Sequence, residues 1–331
     1  MAVYTPVSFD EAAQLIDRLD VGRLESLSPC SSGIENTNYF ADTSVGRYVL
    51  TLFERLSAAE LPFYLHLTEH LARRGLPVPG PHADRSGAIL LALNGKPAAV
   101  VDRLPGAPHL APDAADCASL GTMLAGLHVA AADFGMHHPN LRGLEWWRRT
   151  VPVVRPHLTD AQAALMQDEL EFQEQLAGSA AYAALPRGVV HGDMFRDNVM
   201  FDGGLLTGIF DFYFAGVDTL LYDIAVALND WCIDLESGRL VEDRARALID
   251  AYDGVRPLDG AERRLLPALM RAAALRFWLS RVWDAHLPRD ALVLSAHDPA
   301  HFERVLLARR QTPWHPTSPR LTSRLARRPP P

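Results

Sequence analysis

The chain has few cysteines, no long apolar run and no excess of basic residues, and each shortage argues against a class of protein. Its three cysteines, Cys30, Cys117 and Cys232, lie far apart without the spacing of metal ligands. A reduced, cytoplasmic location is therefore expected rather than a disulfide framework. No apolar stretch approaches about 18 residues, and residues 1–11 lack the basic and apolar regions of a signal peptide, so we expect no membrane span. A formal net charge of −8 offers no basic face for nucleic acid.

What is present indicates a globular protein of two lobes. The chain has 331 residues, of which 48% are hydrophobic and 22% charged. Strand patterns and short turns dominate residues 1–103, and helical patterns dominate residues 104–310. We therefore predict an α+β fold of two lobes, in which a small mixed or antiparallel sheet precedes a mostly helical lobe. Residues 311–331, rich in Pro, Arg, Ser and Thr, are predicted to form a disordered tail.

The most informative stretch is Val189–Asp211, which predicts a β-hairpin after a polar loop. Asn198–Phe201 can form a strand, and Leu206–Phe210 can form the returning strand. Between them, Asp202-Gly203-Gly204 is a strong signal for a tight turn. The hairpin fixes which polar residues meet at its open end.

Three oxygen-bearing side chains are predicted to converge at that open end. Centring the turn on its two glycines puts Arg196 roughly opposite Asp211, with Asn198 two residues away, while Asp193 lies in the loop leading into the hairpin. Carboxylate and amide oxygens that leave room for water and phosphate suit Mg²⁺.

The spacing of these residues is that used by kinases. His191-Gly192-Asp193 is followed after four residues by Asn198, and Asp211 ends the returning strand. In kinases, the first Asp accepts the proton of the attacking hydroxyl, and the Asn and second Asp hold the metal. The alternative is a plain hairpin whose Asp and Asn cap turns. We disfavour it, because turn chemistry does not require the upstream Asp–Asn spacing.

The first lobe lacks the lysine that kinases place on their third strand. The strand Arg47–Phe53 has Thr51 at that position, and the single lysine of the chain, Lys96, lies in a predicted turn. The usual Lys–Glu ion pair therefore cannot be assigned. The polar loop Cys30–Asn38 could cover nucleotide phosphates with its backbone N–H groups. A plain hairpin loop explains that loop equally well.

Polar residues in the predicted helices of the second lobe carry alternative explanations. Asp223, near a helix start, could be a first-turn acid or could brace the loop that carries Asp193. His128 is predicted to be a buried structural histidine rather than a ligand, since no second ligand is in register with it. Arg276 and Arg281 lie in an apolar helix and need partners, either in buried ion pairs or in a substrate carboxylate.

Several blocks together resemble a known family. HGDMFRDN, followed by DFYFAGVDTLLYDIA, resembles the aminoglycoside phosphotransferase/choline kinase superfamily, which has a protein-kinase-like fold. GIENTNYF, YVLTLFE, ALNDWC, LRFWLSR and the opening MAVYTPVS resemble one branch of it, the homoserine kinases of proteobacteria. The resemblance covers about residues 1–310. The missing strand lysine departs from the superfamily but not from this branch.

The resemblance implies ATP- and Mg²⁺-dependent phosphorylation of L-homoserine to O-phospho-L-homoserine in threonine biosynthesis. It implies that Asp193 is the base and that Asn198 and Asp211 hold Mg²⁺. The residues that it implies for the phosphate cover are Gly33, Ile34, Glu35, Asn36, Thr37 and Asn38. Beside these residues, we predict that His191 and Asp223 give structural support to the site.

A homoserine substrate would make two further demands on the site. Its hydroxyl must reach Asp193, so its carboxylate lies several ångströms away and needs a cation. Arginine is the available cation, and our candidates are Arg276 and Arg281. Its ammonium group would need an acid, for which Asp230 is the candidate.

Two rival functions stay open at this point. One is a kinase for another small alcohol, such as choline, an aminoglycoside or methylthioribose; choline would favour an aromatic cage without a cationic partner. The other is a catalytically inactive kinase fold that binds nucleotide. The sequence leaves the oligomeric state and the contacts to the substrate open.

Overall fold

Strand alternation in the first hundred residues produces a five-stranded sheet. The computed structural model describes residues 4–30, 36–287 and 297–316 of the chain. The elements of the first lobe are α1 (Phe9–Ile16), β1 (Leu24–Pro29), β2 (Thr37–Thr43), β3 (Arg47–Leu52), α2 (Leu61–Arg73), β4 (Leu91–Leu93) and β5 (Lys96–Asp102). The strand order is β1-β2-β3-β5-β4, and every neighbouring pair is antiparallel. The structure thus selects the antiparallel form of the predicted sheet.

The two faces of this sheet have different roles. Successive side chains of a strand point to opposite faces, so Leu50 and Leu52 pack with the buried side of α1. On the opposite face, Phe53 and Ala99 pack with Tyr213 of the second lobe. The second face therefore looks toward the hairpin that carries the predicted site.

The remainder of the described chain is mostly helical. Its elements are β6 (Ala107–Pro108), α3 (Ala114–Ala130), α4 (Leu144–Val154), α5 (Asp160–Ala177), α6 (Ala180–Ala183), β7 (Arg187–Val190), β8 (Val199–Asp202), β9 (Leu205–Ile209), β10 (Gly216–Thr219), α7 (Leu220–Trp231), α8 (Glu242–Val255), α9 (Gly260–His286) and α10 (Ala300–Gln311). Two small sheets, β6-β8-β9 and β10-β7, frame the predicted site. Helix α7 is buried along its length apart from Asp230, so it forms the centre of this lobe. Across the described ranges, we find no helix whose length and hydropathy would allow it to span a bilayer.

The borders of the predicted segments fall close to element ends. The five-stranded sheet ends at Asp102, whereas β6 pairs with β8 in the helical lobe. Gln311 is the last residue of α10, and Trp314 beyond it packs against the core of the helical lobe. Residues 317–331 of the predicted tail lie outside the described residues. The domain borders and the disorder of the tail stay predictions.

Candidate active site

The predicted hairpin is formed by β8 and β9. Asp202 pairs with Leu205, so Gly203 and Gly204 are the two turn residues, with φ of 56° and 80°. Positive φ at both positions gives the turn whose twist matches the flanking strands. The first strand begins at Val199 rather than at Asn198, which belongs to a short 3₁₀ turn.

The register of the hairpin differs from the predicted one by a β-bulge. Pairing shifts between Met200 and Phe201, and the N–H of Phe210 donates to the carbonyl oxygen of Asn198 at 3.0 Å. The predicted register, which placed Arg196 roughly opposite Asp211, is therefore off by one residue, because the extra residue in β9 moves the pairing along by one. The bulge brings Asn198 opposite the neighbour of Asp211.

Asn198 and Asp193 contact each other directly. The side-chain Nδ2 of Asn198 donates to the carbonyl oxygen of Asp193 at 2.9 Å and to its Oδ2 at 3.1 Å. Burial raises the pKa of the Asp193 carboxyl to about 6, while the guanidinium of Arg276, with Nη1 3.6 Å from Oδ1, acts in the opposite direction. The carboxylate is thus held in place beside a cation.

His191 links the loop of Asp193 to the strand end before Asp211. Its Nδ1 accepts from the N–H of Asp193 at 3.2 Å, and its Nε2 donates to the carbonyl oxygen of Phe210 at 3.0 Å. Burial lowers the pKa of His191, which favours a neutral ring that accepts on one nitrogen and donates on the other. One imidazole therefore fixes two of the site segments relative to each other.

Asp223 contacts the same loop from α7. Its carboxylate is fully buried and accepts from the N–H of His191 at 2.6 Å and of Gly192 at 2.7 Å. Gly192 has φ of 77°, and a Cβ there would lie 2.7 Å from the carbonyl oxygen of Phe214. The contact corresponds to the bracing alternative for Asp223, and its functional role stays a prediction.

Asp211 occupies a strained position at the end of β9. It adopts the left-handed conformation, with φ of 63° and ψ of 61°. Asn94, in a turn, is the other non-glycine residue of the described chain with positive φ. Such strain persists where the surrounding structure imposes it, and it is concentrated at functional sites.

The side chains of Asn198 and Asp211 carry oxygen atoms of the kind that magnesium prefers. Because Asn198 directs Nδ2 toward Asp193, its Oδ1 is the atom left for a cation. Together with a carboxylate of Asp211 it would offer hard oxygen ligands. Within the described ranges, no group of three or more His, Cys, Asp or Glu residues is placed to hold a metal. Water and phosphate oxygens would have to complete the coordination, as Mg²⁺ prefers.

The predicted phosphate cover is described only in part. Gly33, Ile34 and Glu35 lie outside the described residues, whereas Asn36 directly precedes β2, and Thr37 and Asn38 are its first two residues. Asn38 accepts with Oδ1 a hydrogen bond of 2.7 Å from Thr51 Oγ1, its partner across the strands. The side chain of Thr37 instead donates to Glu54 at 2.7 Å.

The single lysine does not replace the missing strand lysine. Lys96 forms an ion pair of 3.0 Å with Glu54. Along β5, Ala98 and Val100 pack on the α1 side of the sheet, so Lys96 points to that side too. Thr51 belongs to the opposite face, where no lysine is available to it.

Arg276 is the arginine nearest to Asp193 and is incompletely paired. It is 3% exposed, and its guanidinium carbon lies 3.7 Å from the ring centre of Phe277 and 5.1 Å from that of Phe214. Its Nε has no hydrogen-bond partner among the described residues. A buried guanidinium with unused donors can bind an anion.

The two other predicted substrate residues already have protein partners. Arg281 donates to the carbonyl oxygen of Asp298 at 3.3 Å and covers the ring of Phe302. Oδ2 of Asp230 accepts from the backbone N–H of Arg196 at 2.9 Å and from its Nε at 3.0 Å. Both stay candidates, with less free hydrogen-bonding capacity than Arg276.

Arg196 and the contact of His128 with Asp223 are the features that sequence reasoning missed. Arg196 lies within the motif, but its partner Asp230 is 34 positions away, and no local pattern pairs them. His128 is buried, as predicted, and its Nε2 lies 3.2 Å from Oδ2 of Asp223.

Comparison with known proteins shows the family and the fold class of the chain. A sequence model described as the phosphotransferase enzyme family matches residues 26–258, and the chain belongs to this family. Amicoumacin kinase hAmiN superposes with a TM-score of 0.68 at 17% identity, covering 93% of this chain and 95% of that one. A choline kinase from Cryptosporidium parvum gives 0.64 at 12% identity, covering 92% and 96%. These structures confirm the predicted two-lobe, kinase-like fold.

Two relatives that are more similar in sequence than these structures are both homoserine kinases. The homoserine kinase of Polaromonas naphthalenivorans (strain CJ2) is 60% identical over 95% of this chain and 99% of its own length. The homoserine kinase of Janthinobacterium sp. (strain Marseille) is 52% identical over 93% of this chain and 96% of its own. The predicted family resemblance is therefore confirmed.

Proposed function

We propose that this phosphotransferase transfers the γ-phosphoryl group of ATP to the side-chain hydroxyl of L-homoserine, giving O-phospho-L-homoserine and ADP, in the cytoplasm. The observation that carries the proposal is the 60% identity to a homoserine kinase, which extends over 95% of this chain and 99% of the relative. The site geometry supports the proposal, because Asn198 and the buried Arg276 both lie against the carboxylate of Asp193.

Asp193 is the proposed base. One carboxylate oxygen accepts the proton of the homoserine hydroxyl as the hydroxyl oxygen attacks the γ-phosphorus. The bond from that phosphorus to the bridging oxygen breaks, and ADP leaves with the bonding electrons. Asn198 and His191 hold Asp193 so that the hydroxyl meets it in line with the phosphoryl group, and positioning is the main protein contribution to such transfers.

Asn198 and Asp211 are the proposed ligands of Mg²⁺. The ion, when bound, neutralises the charge on the phosphate oxygens. The chain from Gly33 to Asn38 is proposed to cover the phosphates with its N–H groups. Asn38 is supported in this role by its hydrogen bond to Thr51, which holds its side chain against the sheet.

Arg276 is the proposed receptor of the homoserine carboxylate. Its Nη1 lies 3.6 Å from Oδ1 of Asp193 and its Nε is unpartnered among the described residues, so a carboxylate next to the reacting hydroxyl could complete its hydrogen bonds. Arg281 and Asp230 stay proposed as secondary contacts, the latter for the ammonium group.

An ATP-consumption assay with Mg²⁺ tests the function. The alcohols to compare are L-homoserine, choline, an aminoglycoside, methylthioribose and 3-aminopropan-1-ol, which is homoserine without its carboxylate. We expect the highest kcat/KM for homoserine. A higher value for any other alcohol would replace the assignment, and no turnover with any of them would favour an inactive nucleotide-binding fold.

A further inference from the structure

A chain of hydrogen bonds leads from the start of α9 to the loop that carries Asp193. Glu262 accepts from Arg256 Nη1 at 2.8 Å, and the same Nη1 lies 3.2 Å from the hydroxyl of Tyr252. That hydroxyl lies 2.7 Å from Nδ1 of His128, whose Nε2 lies 3.2 Å from Oδ2 of Asp223. The chain joins α8, α3 and α7 through buried side chains.

The donors and acceptors around Asp223 fix the direction of this chain of hydrogen bonds at its inner end. Asp223 already accepts from two backbone N–H groups, one on each carboxylate oxygen. A third contact at 3.2 Å is favourable only if Nε2 of His128 carries a proton, because a lone pair there would face a carboxylate oxygen. His128 is therefore the third donor to Asp223.

The outer end imposes the same direction. A guanidinium can only donate, so Arg256 donates to the oxygen of Tyr252 and leaves the hydroxyl proton for Nδ1 of His128. Burial raises the pKa of Tyr252, which keeps that proton on the phenol. A protonated Nδ1 would leave the proton of Tyr252 without an acceptor among the described residues. Every bond from Arg256 to Asp223 then runs inward with a matched donor and acceptor.

We propose that Tyr252 and Arg256 are positioning residues for the reaction: they hold the proton of His128 on Nε2, where it donates to Asp223 and fixes the loop of Asp193. The kinetic part of this inference rests on the proposed function. The part that concerns the proton on His128 does not, because it can be measured without substrate.

The experiment compares Tyr252→Phe and Arg256→Met with two matched controls. Tyr64→Phe removes another tyrosine–histidine bond, of 3.1 Å to His138. Arg246→Met breaks a pair with Glu242 that lies on α8 but faces solvent. Neither control bond leads to Asp223, so we expect kcat and both KM values of the controls to stay within twofold of the parent.

Kinetics give the first readout. We expect Tyr252→Phe to lower kcat about tenfold and Arg256→Met a few fold, with KM for ATP and for homoserine within twofold, because binding groups are untouched while Asp193 is less well placed. Unchanged kcat in both variants would overturn the positioning role. An equal loss in the Tyr64→Phe control would overturn it as well, since the effect would then not depend on Asp223.

Nitrogen NMR of the histidine side chains gives the second readout. In the parent, His128 should carry its proton on Nε2, and the Nδ1 resonance should show an accepted hydrogen bond. In Tyr252→Phe that resonance should move toward the value of an unbonded ring nitrogen. A parent proton on Nδ1, or an Nδ1 resonance unaffected by both substitutions, would overturn the inference. If Tyr252→Phe does not fold, Arg256→Met and the parent spectrum decide.

Discussion

At the scale of single residues, substitution of Asp193 should slow the chemical step and leave nucleotide binding nearly unchanged. Its proposed work is to accept a proton in the transition state, so Asp193→Asn should lower kcat by about 10²–10⁴-fold. The dissociation constant of ATP, measured by calorimetry, should change less than about threefold, because the amide keeps the size of the side chain. Asp202→Asn is the control, because Asp202 is an exposed carboxylate at the hairpin turn. Parent-like turnover of Asp193→Asn would remove Asp193 from the role of base.

Arg276 is the residue on which substrate choice is expected to depend. Arg276→Lys keeps the charge but removes the fork that a carboxylate can bind with two hydrogen bonds. We expect KM for homoserine to rise by an amount equivalent to about 1.5–3 kcal/mol, with little change for ATP or for 3-aminopropan-1-ol. Arg271→Lys is the control, since Arg271 lies on the same helix but pairs with Glu169. Equal effects on both alcohols would show that Arg276 does not read the carboxylate.

Loss of each of the two proposed metal ligands should raise the Mg²⁺ requirement by a different amount. Asp211→Ala removes a charged ligand and should raise the Mg²⁺ concentration for half-maximal activity about tenfold or more, whereas Asn198→Ala removes a neutral ligand and should raise it less. Titration of activity with Mg²⁺ at saturating ATP measures both. If both variants respond to Mg²⁺ as the parent does, the end of the hairpin is not the metal site.

At the scale of elements, the turn of the Asp193 loop requires a glycine. Gly192→Ala would place a Cβ 2.7 Å from a backbone oxygen at φ of 77°, so we expect a loss of about 1–3 kcal/mol of unfolding free energy in urea and a lower kcat. Gly203→Asn is the control, because that position also has positive φ but no atom outside its two neighbouring residues lies within 4 Å of an added Cβ. A parent-like stability of Gly192→Ala would mean that the loop adapts without cost.

Local signals explain which elements the sequence could predict. Consecutive Gly203 and Gly204 dictate a two-residue turn, so the hairpin followed from the sequence, whereas nothing local marks the bulge that shifts its register. The long-range pairs were out of reach for the same reason. Asp230 binds Arg196 and His128 binds Asp223 across gaps of 34 and 95 positions, and only the packing of α7 against its neighbours decides such contacts.

At the scale of the whole molecule, the boundary of the fold beyond α10 can be located by two truncations. Trp314 packs against the core of the helical lobe and Pro316 is buried, while the composition of residues 317–331 is poor in core-forming side chains. Ending the chain after Pro316 should therefore leave activity and Tm nearly unchanged. Ending it after Gln311 also removes Trp314, and burial of that ring stabilises the fold by about 1–2 kcal/mol, so Tm should fall by a few degrees.

Calorimetry of the two truncated chains beside the parent separates the cases. A large fall already after Pro316 would show that the terminal residues dock on the fold, and no fall after Gln311 would show that Trp314 contributes nothing to stability.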